Sequence, residues 1–330
     1  MTQPFHTSTV WHTKIAARIH DPAEKALVLM RDPAGHENGT SWALSRLMGL
    51  RNYSETDDTD QHTLSALLFK ASLPTGMYQT VQRADWWAAA ADRPQWPMQE
   101  LEVTTKNGKE VTLKVAPGSQ VRFSSQPVLI HPLTGEQINL GQLHDTEVGD
   151  IKARSFAHHL DLLKALGIQS GQTHDMRRTL LALWRFAPEL NETQDNGALG
   201  ELWHQLPADT RVPDHSIWDH LDLTSAFAGA FAADPQQEVA LLTVSLGPVQ
   251  SFIAAARSTS DLWAGSHLLS RLAWECMRPL CEALGPDAVL FPRLRGIPQV
   301  DLWLRDQMQL PPELFNGCGW QKGATDANPL

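Results

Sequence analysis

The sequence predicts an α+β protein: a mainly α-helical N-terminal region with a β-hairpin insertion, followed by the beginning of a strand–helix–strand unit. Apolar residues recur at helical spacing through most of residues 1–234. Between about residues 100 and 142 the pattern changes to short alternating runs bounded by turn residues. After residue 238 an apolar run of strand length precedes a long helical stretch. We therefore expect two domains, residues 1–234 and 238–330.

The first ninety residues are predicted to be mainly helical. Ile15, Ala16 and Ile19 follow helical spacing, and Pro22 comes directly after a His-Asp pair. Because proline lacks the N–H of a helical residue, we expect a helix that breaks at residues 20–22 and a second element after it. Residues 63–71 and 80–91 also have helical patterns.

The insertion at about 100–142 is predicted to contain β-hairpins. Two alternating runs, LEVTT and EVTLKV, flank Asn107 and Gly108. Asn-Gly favours the type I′ turn, whose twist matches that of paired strands. A second hairpin is expected to turn at Thr134 and Gly135.

Helical patterns return at 151–166, 174–186, 197–206 and 219–233, and Asp-Pro-Gln-Gln at 234–237 marks the expected domain boundary. The next domain is predicted to contain a strand at 238–246, a helix at 249–284 and a strand at 288–293. This order is typical of a βαβ unit or of the opening of a ferredoxin-like fold. Such a fold needs four strands and two helices, so we expect it to be incomplete here.

The composition limits the classes of function. The formal charge of −10 argues against a protein that coats nucleic acid by bulk attraction, so any nucleic acid must be met at a local site or through partner subunits. The three cysteines, Cys276, Cys281 and Cys318, have no paired zinc-site spacing and suit a reducing compartment, for which we predict the cytoplasm. No apolar run approaches the roughly 20 residues of a membrane span, and the N-terminus has no signal-peptide pattern.

The first candidate site is His20-Asp21, with Lys25 nearby. Imidazole nitrogen and carboxylate oxygen are both ligands for divalent ions, and a helix break lets adjacent side chains converge. The dipeptide alone is weak evidence, because such pairs arise by chance.

Asp85 is the second candidate, in the segment ADWWAAAADRP. A carboxylate on an otherwise apolar helix is costly to bury unless it pairs or binds a metal. The alternative is an ion pair with Arg83 or Arg93.

His215 and His220 form the third candidate, in PDHSIWDHLDLTSA. Five positions separate them, so they do not share a helix face as residues four apart would. We expect one to bind a metal and the other to support it. Asp214 or Ser216 could instead simply cap the helix.

Together these residues resemble a known family. HD phosphohydrolases bind metals in the order H…HD…D, and the large subunits of type III CRISPR complexes resemble a circular permutation of that fold, with the order HD…D…H. Here His20-Asp21, Asp85 and His215 or His220 supply the permuted order. The segment SLGPVQSFIAAARSTSDLWAGSHLLSRLAW resembles the start of the first palm domain in the Cmr-type large subunit of type III-B complexes. The resemblance thus implies a permuted HD domain followed by part of a palm.

There are departures from this pattern. Lys25 stands four residues after Asp21, whereas the common HDxxK pattern places lysine three after, so its catalytic role in contacting phosphate stays open. The second histidine pair of two-metal HD enzymes has only the candidates His36, His158 and His159.

The family's palm also makes cyclic oligoadenylates from ATP with a Gly-Gly-Asp-Asp motif, which does not occur in this sequence. Gly247, Gln250, Ser251 and Arg257, at a predicted strand-to-helix turn, could form part of a nucleotide site. A tight turn needed only for packing is the alternative. ATP is therefore expected only with a full-length palm.

The resemblance implies a metal-dependent nuclease that cleaves single-stranded DNA, with one or two Mn²⁺-, Ni²⁺- or Co²⁺-like ions held by His20, Asp21, Asp85 and His215. It also implies partners: other subunits of the type III-B complex, guide RNA and target RNA. One alternative is a non-catalytic assembly module with a vestigial HD site that docks to those subunits and RNAs. A small-nucleotide phosphohydrolase is a third possibility, from HD chemistry alone.

Overall fold

A computed structural model describes most of the chain. The described residues are 7–30, 40–48, 50, 73, 75–89, 99–104, 108–115, 128–130, 134–143, 145–169, 174–190, 197–208, 215–316 and 318. The predicted helix at 63–71, and the candidates His36, Arg93 and Asp214, lie outside them.

The helical N-terminal region is confirmed. Its first helices are α1 (Thr7–Arg18), α2 (Lys25–Leu29), α3 (Thr40–Leu47) and α4 (Thr75–Ala88). The predicted break therefore falls between α1 and α2, around Pro22. Further along the chain come α5 (Val148–Ala165), α6 (Met176–Phe186), α7 (Gly197–Leu202) and α8 (Ile217–Ala233).

Both predicted hairpins are present. Strand β1 (Gln99–Thr104) pairs antiparallel with β2 (Glu110–Val115), with Gln99 opposite Val115 and Thr104 opposite Glu110. Gly108, between them, has φ of 75°, a backbone conformation that glycine adopts without steric cost. Strand β3 (Val128–Ile130) pairs with β4 (Gln137–Asn139), so the insertion contains two separate two-stranded ribbons.

The helical core forms where α8 packs against α1 and α4. Ser225, Ala228 and Gly229 give α8 a buried face of small side chains. A Cβ atom at Gly229 would lie 2.9 Å from Cδ of Lys14 on α1, so glycine at this position lets the two helices approach closely. This close approach brings the end of α1 beside the start of α8, where the candidate site lies.

The region after residue 238 differs from the prediction. Residues 238–246 form no strand. Residue 288 ends a short 3-10 helix, and residues 289–293 are irregular instead of forming a strand. A strand needs a neighbouring strand for its backbone hydrogen bonds, and the described residues supply none beside either segment. The predicted βαβ unit is therefore wrong for the structure described here.

The predicted long helix at 249–284 is interrupted. It consists of α9 (Val249–Ala254) and α10 (Thr259–Leu284), and Ser258 caps α10 by accepting a hydrogen bond from the backbone N–H of Asp261. A serine that binds backbone groups outside a helix explains the break. Helix α11 (Pro298–Asp306) was not predicted.

A buried ion pair joins the region after residue 238 to the helical core. Nζ of Lys14 on α1 lies 2.7 Å from Oδ2 of Asp287, which follows α10, and both side chains are almost fully buried. Arg295 adds a second link, since it bonds both carboxylate oxygens of Asp222 on α8 at 2.6 and 2.8 Å. The two regions are therefore held together by charges inside the protein.

Within the described part of the chain, no helix is both long enough and apolar enough to cross a membrane.

Candidate metal centre

The His-Asp pair lies where α1 ends. Pro22 cannot continue the helix, and the chain turns so that His20 and Asp21 both point inward and are buried. His20 Nδ1 lies 2.5 Å from the carbonyl oxygen of Ala17, one of the carbonyls at the helix end that lack an intrahelical partner. Because a carbonyl only accepts, Nδ1 carries the hydrogen, and Nε2 of the neutral ring then offers its lone pair.

Two further ligands come from other helices. Asp85 lies near the end of α4, and His220 lies in the first turn and a half of α8, whose N-terminus is capped by the side chain of Ser216. The packing of α8 against α1 and α4 brings these side chains to His20 and Asp21. One ligand atom from each of the four residues lies within 4.8 Å of the others, and all four residues are buried. We call these four residues the metal centre.

The distances inside the metal centre suit ligands around an ion better than hydrogen-bonded pairs. His20 Nε2 is 3.3 Å from Oδ2 of Asp21 and 3.4 Å from Oδ1 of Asp85. His220 Nε2 is 3.4 Å from Oδ1 of Asp85 and 3.7 Å from Oδ2 of Asp21. These values exceed the usual 2.7–3.2 Å of an N–H···O bond.

Neither Nε2 atom makes a hydrogen bond with any described residue, although both are buried. A buried polar atom without a partner is costly, and a metal ion would satisfy both nitrogens and both carboxylates at once. Two imidazoles and two carboxylates are a suitable donor set for a divalent transition metal. The residues present therefore fit such an ion.

The electrostatics of the metal centre are dominated by its two carboxylates. Burial lowers the pKa of His20, but the charges of Asp21 and Asp85 outweigh it, so that the pKa is raised to about 9. Burial raises the pKa of Asp85, but the two imidazoles more than offset this and hold it well below its usual range. Burial lowers the pKa of His220. Without an ion, one proton is thus held on His20, and a bound ion must displace it.

Lys25 lies at the more open side of the centre. Its ammonium group donates a hydrogen bond to Oδ2 of Asp21 at 2.7 Å, and its side chain keeps some contact with solvent. Residues 21–24 form a turn between α1 and α2, and this turn places the lysine beside the aspartate despite the four-residue spacing that departs from the common HDxxK pattern.

Glu24 supports the turn that carries His20 and Asp21, and its role was not foreseen from the sequence. It is fully buried and accepts hydrogen bonds from the hydroxyl groups of Thr40 on α3 (2.8 Å) and Ser155 on α5 (2.6 Å). Burial raises the pKa of the Glu24 carboxyl. A glutamate three residues after Asp21, directly before the apolar run at 26–30, was the available sequence signal.

The structure brings together four of the five predicted metal ligands. His215 lies beside the centre, with its ring centroid 6.2 Å from that of His220, but it is not among the four grouped residues. The alternative that Asp85 pairs with Arg83 does not hold, because the guanidinium of Arg83 bonds Gln237 at 2.9 Å.

The other candidates lie away from these four residues. His158 Nε2 faces the carbonyls of Phe186 and Ala187 at the end of α6, and His159 Nδ1 bonds the carbonyl of Ser155 at 2.8 Å. Both rings pack near Trp203. These contacts give the two histidines structural roles in the helical core.

The residues suggested for a nucleotide site all lie exposed after residue 246: Gly247, Gln250, Ser251 and Arg257. Arg257, which precedes α10, forms an ion pair with Asp261 in the first turn of that helix, at 3.5 Å. The proposal of a nucleotide site there stays a prediction.

Comparison with known proteins gives one family. Residues 241–324 match the family described as CRISPR-associated protein Cmr2, N-terminal. The CRISPR system Cmr subunit Cmr2 of Pyrococcus furiosus is 30% identical over 314 residues, which cover 86% of this chain and 31% of that protein. The corresponding subunit of Saccharolobus solfataricus is 38% identical over 94 residues, 28% of this chain and 9% of that protein. The chain thus spans less than a third of the length of these relatives.

Proposed function

We propose that this chain, which belongs to the Cmr2 family of large subunits of type III-B CRISPR complexes, cleaves phosphodiester bonds of single-stranded DNA with a divalent metal ion held by His20, Asp21, Asp85 and His220. Membership of this family supports a role as a subunit of a CRISPR effector complex. The nuclease activity, its substrate and the metal are our proposal.

One observation carries this proposal. Two buried imidazole nitrogens, from His20 and His220, converge with two buried carboxylates while making no hydrogen bond to the described residues. Such an arrangement is costly in a protein that binds nothing there, because the two imidazole nitrogens lose hydration without gaining a hydrogen bond. Packing alone offers no reason to collect these four side chain types at the junction of three helices.

Each residue has a distinct part in the proposed chemistry. A bound divalent ion supplies an acidic water at neutral pH and a positive charge that polarises the scissile phosphate. The hydrogen bond from His20 to Ala17 fixes the ring so that Nε2 points into the centre. Lys25, beside Asp21 on the more open side, can contact a non-bridging oxygen of the DNA phosphate. His215, next to His220, can support that ring or contact the substrate.

The donor set favours a transition metal. Imidazole nitrogen suits Mn²⁺, Ni²⁺ or Co²⁺ better than Mg²⁺, which prefers oxygen ligands and keeps several waters. Local positive charge for DNA must come from few residues, because the chain carries a net charge of −10. Arg18 is buried and pairs with Asp222, whereas Lys25 lies beside Asp21 at the centre; Arg31 lies outside the described residues.

We further propose the arrangement of the whole protein from the family resemblance. Residues 1–234 would form a permuted HD domain. Residues 238–330 form no βαβ unit among the described residues, and on the family resemblance alone they would belong to the palm region, whose ATP chemistry requires a motif absent from this sequence. Guide RNA, target RNA and the other Cmr subunits would be the partners, in the cytoplasm.

The test is an assay of the purified chain on single-stranded DNA with added Mn²⁺. We expect cleavage that is abolished by EDTA and by the double substitution His20→Ala and Asp21→Ala. The matched control is Asp161→Asn, at an exposed position of α5. Absence of cleavage by the wild-type chain, or cleavage unaffected by the double substitution, would contradict the proposal.

A second role, assembly, is favoured by a separate observation. Residues 238–252 expose a run of apolar side chains, including Leu241, Leu242 and Val244. Exposed apolar surface of this extent is typical of a region that another element or chain covers. A variant with Leu241→Asp and Val244→Asp should cleave DNA normally but fail to assemble with the other Cmr subunits, as followed by size-exclusion chromatography. Normal assembly would contradict this role.

A further inference from the structure

The outward face of α4 carries two tryptophans directly after the ligand Asp85. Trp86 is 54% exposed and Trp87 is 47% exposed, and they are the only large hydrophobic residues of α4 in contact with solvent to this degree within its described part. A tryptophan with half of its surface in water gives up much of the free energy that its burial would supply, so two in succession need an explanation.

The position of the tryptophans relates them to the metal centre. Successive helical residues are rotated by about 100° around the axis, so Asp85 points into the centre while Trp86 stands beside it toward solvent. A strand of DNA whose phosphate lies at the centre must continue over the neighbouring surface. Trp86 therefore lies where the next nucleotides of such a strand can reach it.

Trp87 belongs to an aromatic cluster that holds the positive charge of Arg83. Its ring meets Phe227 and Phe231 of α8 edge to face, with centroids 5.6 and 5.3 Å away. The guanidinium carbon of Arg83 lies 5.5 Å from the Trp87 ring centre and 4.5 Å from that of Phe231. This surface therefore consists of two exposed indoles and a cation held over aromatic rings.

The charge of Arg83 is available to a phosphate. Its hydrogen bond at 2.9 Å goes to the neutral side chain of Gln237, and no carboxylate of the described residues pairs with it. In a chain with net charge −10, an arginine of this kind beside two exposed indoles complements an anionic ligand with planar rings.

We propose that Trp86 and Trp87, with Arg83, form a stacking platform for unpaired bases of the single-stranded DNA that enters the metal centre. This inference rests on the proposed nuclease function and names how its substrate is held. Base stacking on aromatic side chains does not depend on sequence, so the platform would bind single strands generally and exclude duplex, whose bases are already stacked.

A protein partner fits this surface less well than bases do. Around the two indoles the outward face of α4 is polar, with Gln79 exposed and Gln82 half-buried. A stable protein interface buries roughly 800 Å² on each partner and has an apolar centre larger than two isolated rings. A protein bound there would also cover the side of α4 next to the centre and obstruct the substrate.

Binding of a fluorescein-labelled oligo(dT) strand, measured by anisotropy in EDTA, tests the platform separately from cleavage. Trp86→Ala should weaken binding by about 5- to 150-fold, the loss of one stacked base, and Trp86→Phe should recover part of it. The matched control is Trp263→Ala on α10, where the indole is 73% exposed and far along the chain, and binding should not change. An abasic oligonucleotide should bind wild-type protein about as weakly as oligo(dT) binds Trp86→Ala.

Equal binding by wild type and Trp86→Ala, or equal losses in Trp86→Ala and Trp263→Ala, would overturn the proposal. Loss of Cmr assembly by Trp86→Ala with unchanged DNA affinity would identify a protein interface and also overturn it. Unchanged thermal unfolding of Trp86→Ala separates a binding defect from misfolding. Stacking without cleavage would contradict only the nuclease function, and cleavage indifferent to Trp86 would contradict only the platform.

Discussion

The metal centre and the segment 238–252 depart from the usual distribution of residues in opposite ways: the first buries charged and polar groups, and the second exposes apolar side chains. At the metal centre, two carboxylates and two imidazoles are buried among helices α1, α4 and α8. In the segment 238–252, leucine and valine side chains are exposed, with Leu241 at 80%. We proposed a metal ion as the ligand of the first region and an assembly role for the second.

The comparison also shows how differently the two regions are stabilised. Helix α8 is capped, closely packed on α1 and buried along one face. The metal centre is therefore supported by well-packed helices. The segment 238–252 has no strand partner among the described residues, and its side chains are largely exposed. Substitutions should therefore have unlike consequences in the two regions.

The largest effect is expected where the two regions meet, at the ion pair of Lys14 and Asp287. Lys14→Met should lower the free energy of unfolding by about 3–5 kcal/mol, because it leaves Asp287 charged and buried without its partner. Lys164→Met, which removes the exposed pair with Asp161, should cost less than about 1 kcal/mol. Urea unfolding followed by circular dichroism measures both, and similar values for the two variants would contradict this account of the junction.

Replacing a ligand should affect activity far more than folding. Asp85→Asn keeps the size of the side chain but removes the charge that the proposed ion needs, so we expect at least about a 100-fold loss of Mn²⁺-dependent DNA cleavage. The affinity for Mn²⁺, measured by calorimetry, should fall in parallel. In the exposed region, Leu241→Asp should leave both values unchanged. Full activity of Asp85→Asn would remove Asp85 from the metal centre.

Only some of the features behind these two predictions could be predicted from the sequence. The hairpin around Gly108 and the helix break at Pro22 were predicted, because each depends on residues close together in the chain. The order His20, Asp21, Asp85 and a late histidine was also predicted. Which late histidine joins the group could not be, since five positions separate His215 and His220 and the choice depends on how α8 rotates against α1 and α4.

The strands predicted after residue 238 failed for a different reason. An apolar run of strand length shows that side chains avoid water, but pairing requires a second strand at the right distance. The sequence also did not predict two further contacts: the packing of Lys14 against Gly229, and the hydrogen bonds of Glu24 with Thr40 and Ser155. Each joins residues far apart in the chain, and no periodicity records such contacts.

A moderate effect is expected from acid on the helical core. Burial, together with the neighbouring His158, lowers the pKa of His159 to about 3. Above pH 6.5 the ring is neutral in folded and unfolded chains; below it, only the unfolded chain takes up the proton. This residue should therefore reduce the free energy of unfolding by up to about 1.4 kcal/mol for each pH unit between 6.5 and 3.

The variant His159→Phe isolates this contribution. Urea unfolding at pH 7, 6 and 5 should show that the free energy of unfolding falls less steeply with decreasing pH than in wild type. The difference in slope should correspond to close to one proton taken up on unfolding. His267→Phe, on the exposed surface of α10, is the matched control and should keep the wild-type slope. A wild-type slope in His159→Phe would show that other groups carry the acid sensitivity.

The smallest effect is expected in the exposed segment. Leu241→Asp should change the free energy of unfolding by less than about 0.5 kcal/mol, because the leucine makes little contact in this chain. The same change at Leu181, which is fully buried in α6, should prevent folding. A loss above about 1 kcal/mol at Leu241, in denaturant titration, would mean that the segment is already packed.

The most direct test of the central claim is the position of a metal ion in the protein. Crystals soaked in Mn²⁺ and measured at the manganese absorption edge should give one anomalous peak at about 2.0–2.3 Å from a nitrogen of His20 and of His220 and from oxygens of Asp21 and Asp85. A peak at another position, or none in crystals that hold the four side chains together, would contradict the metal centre.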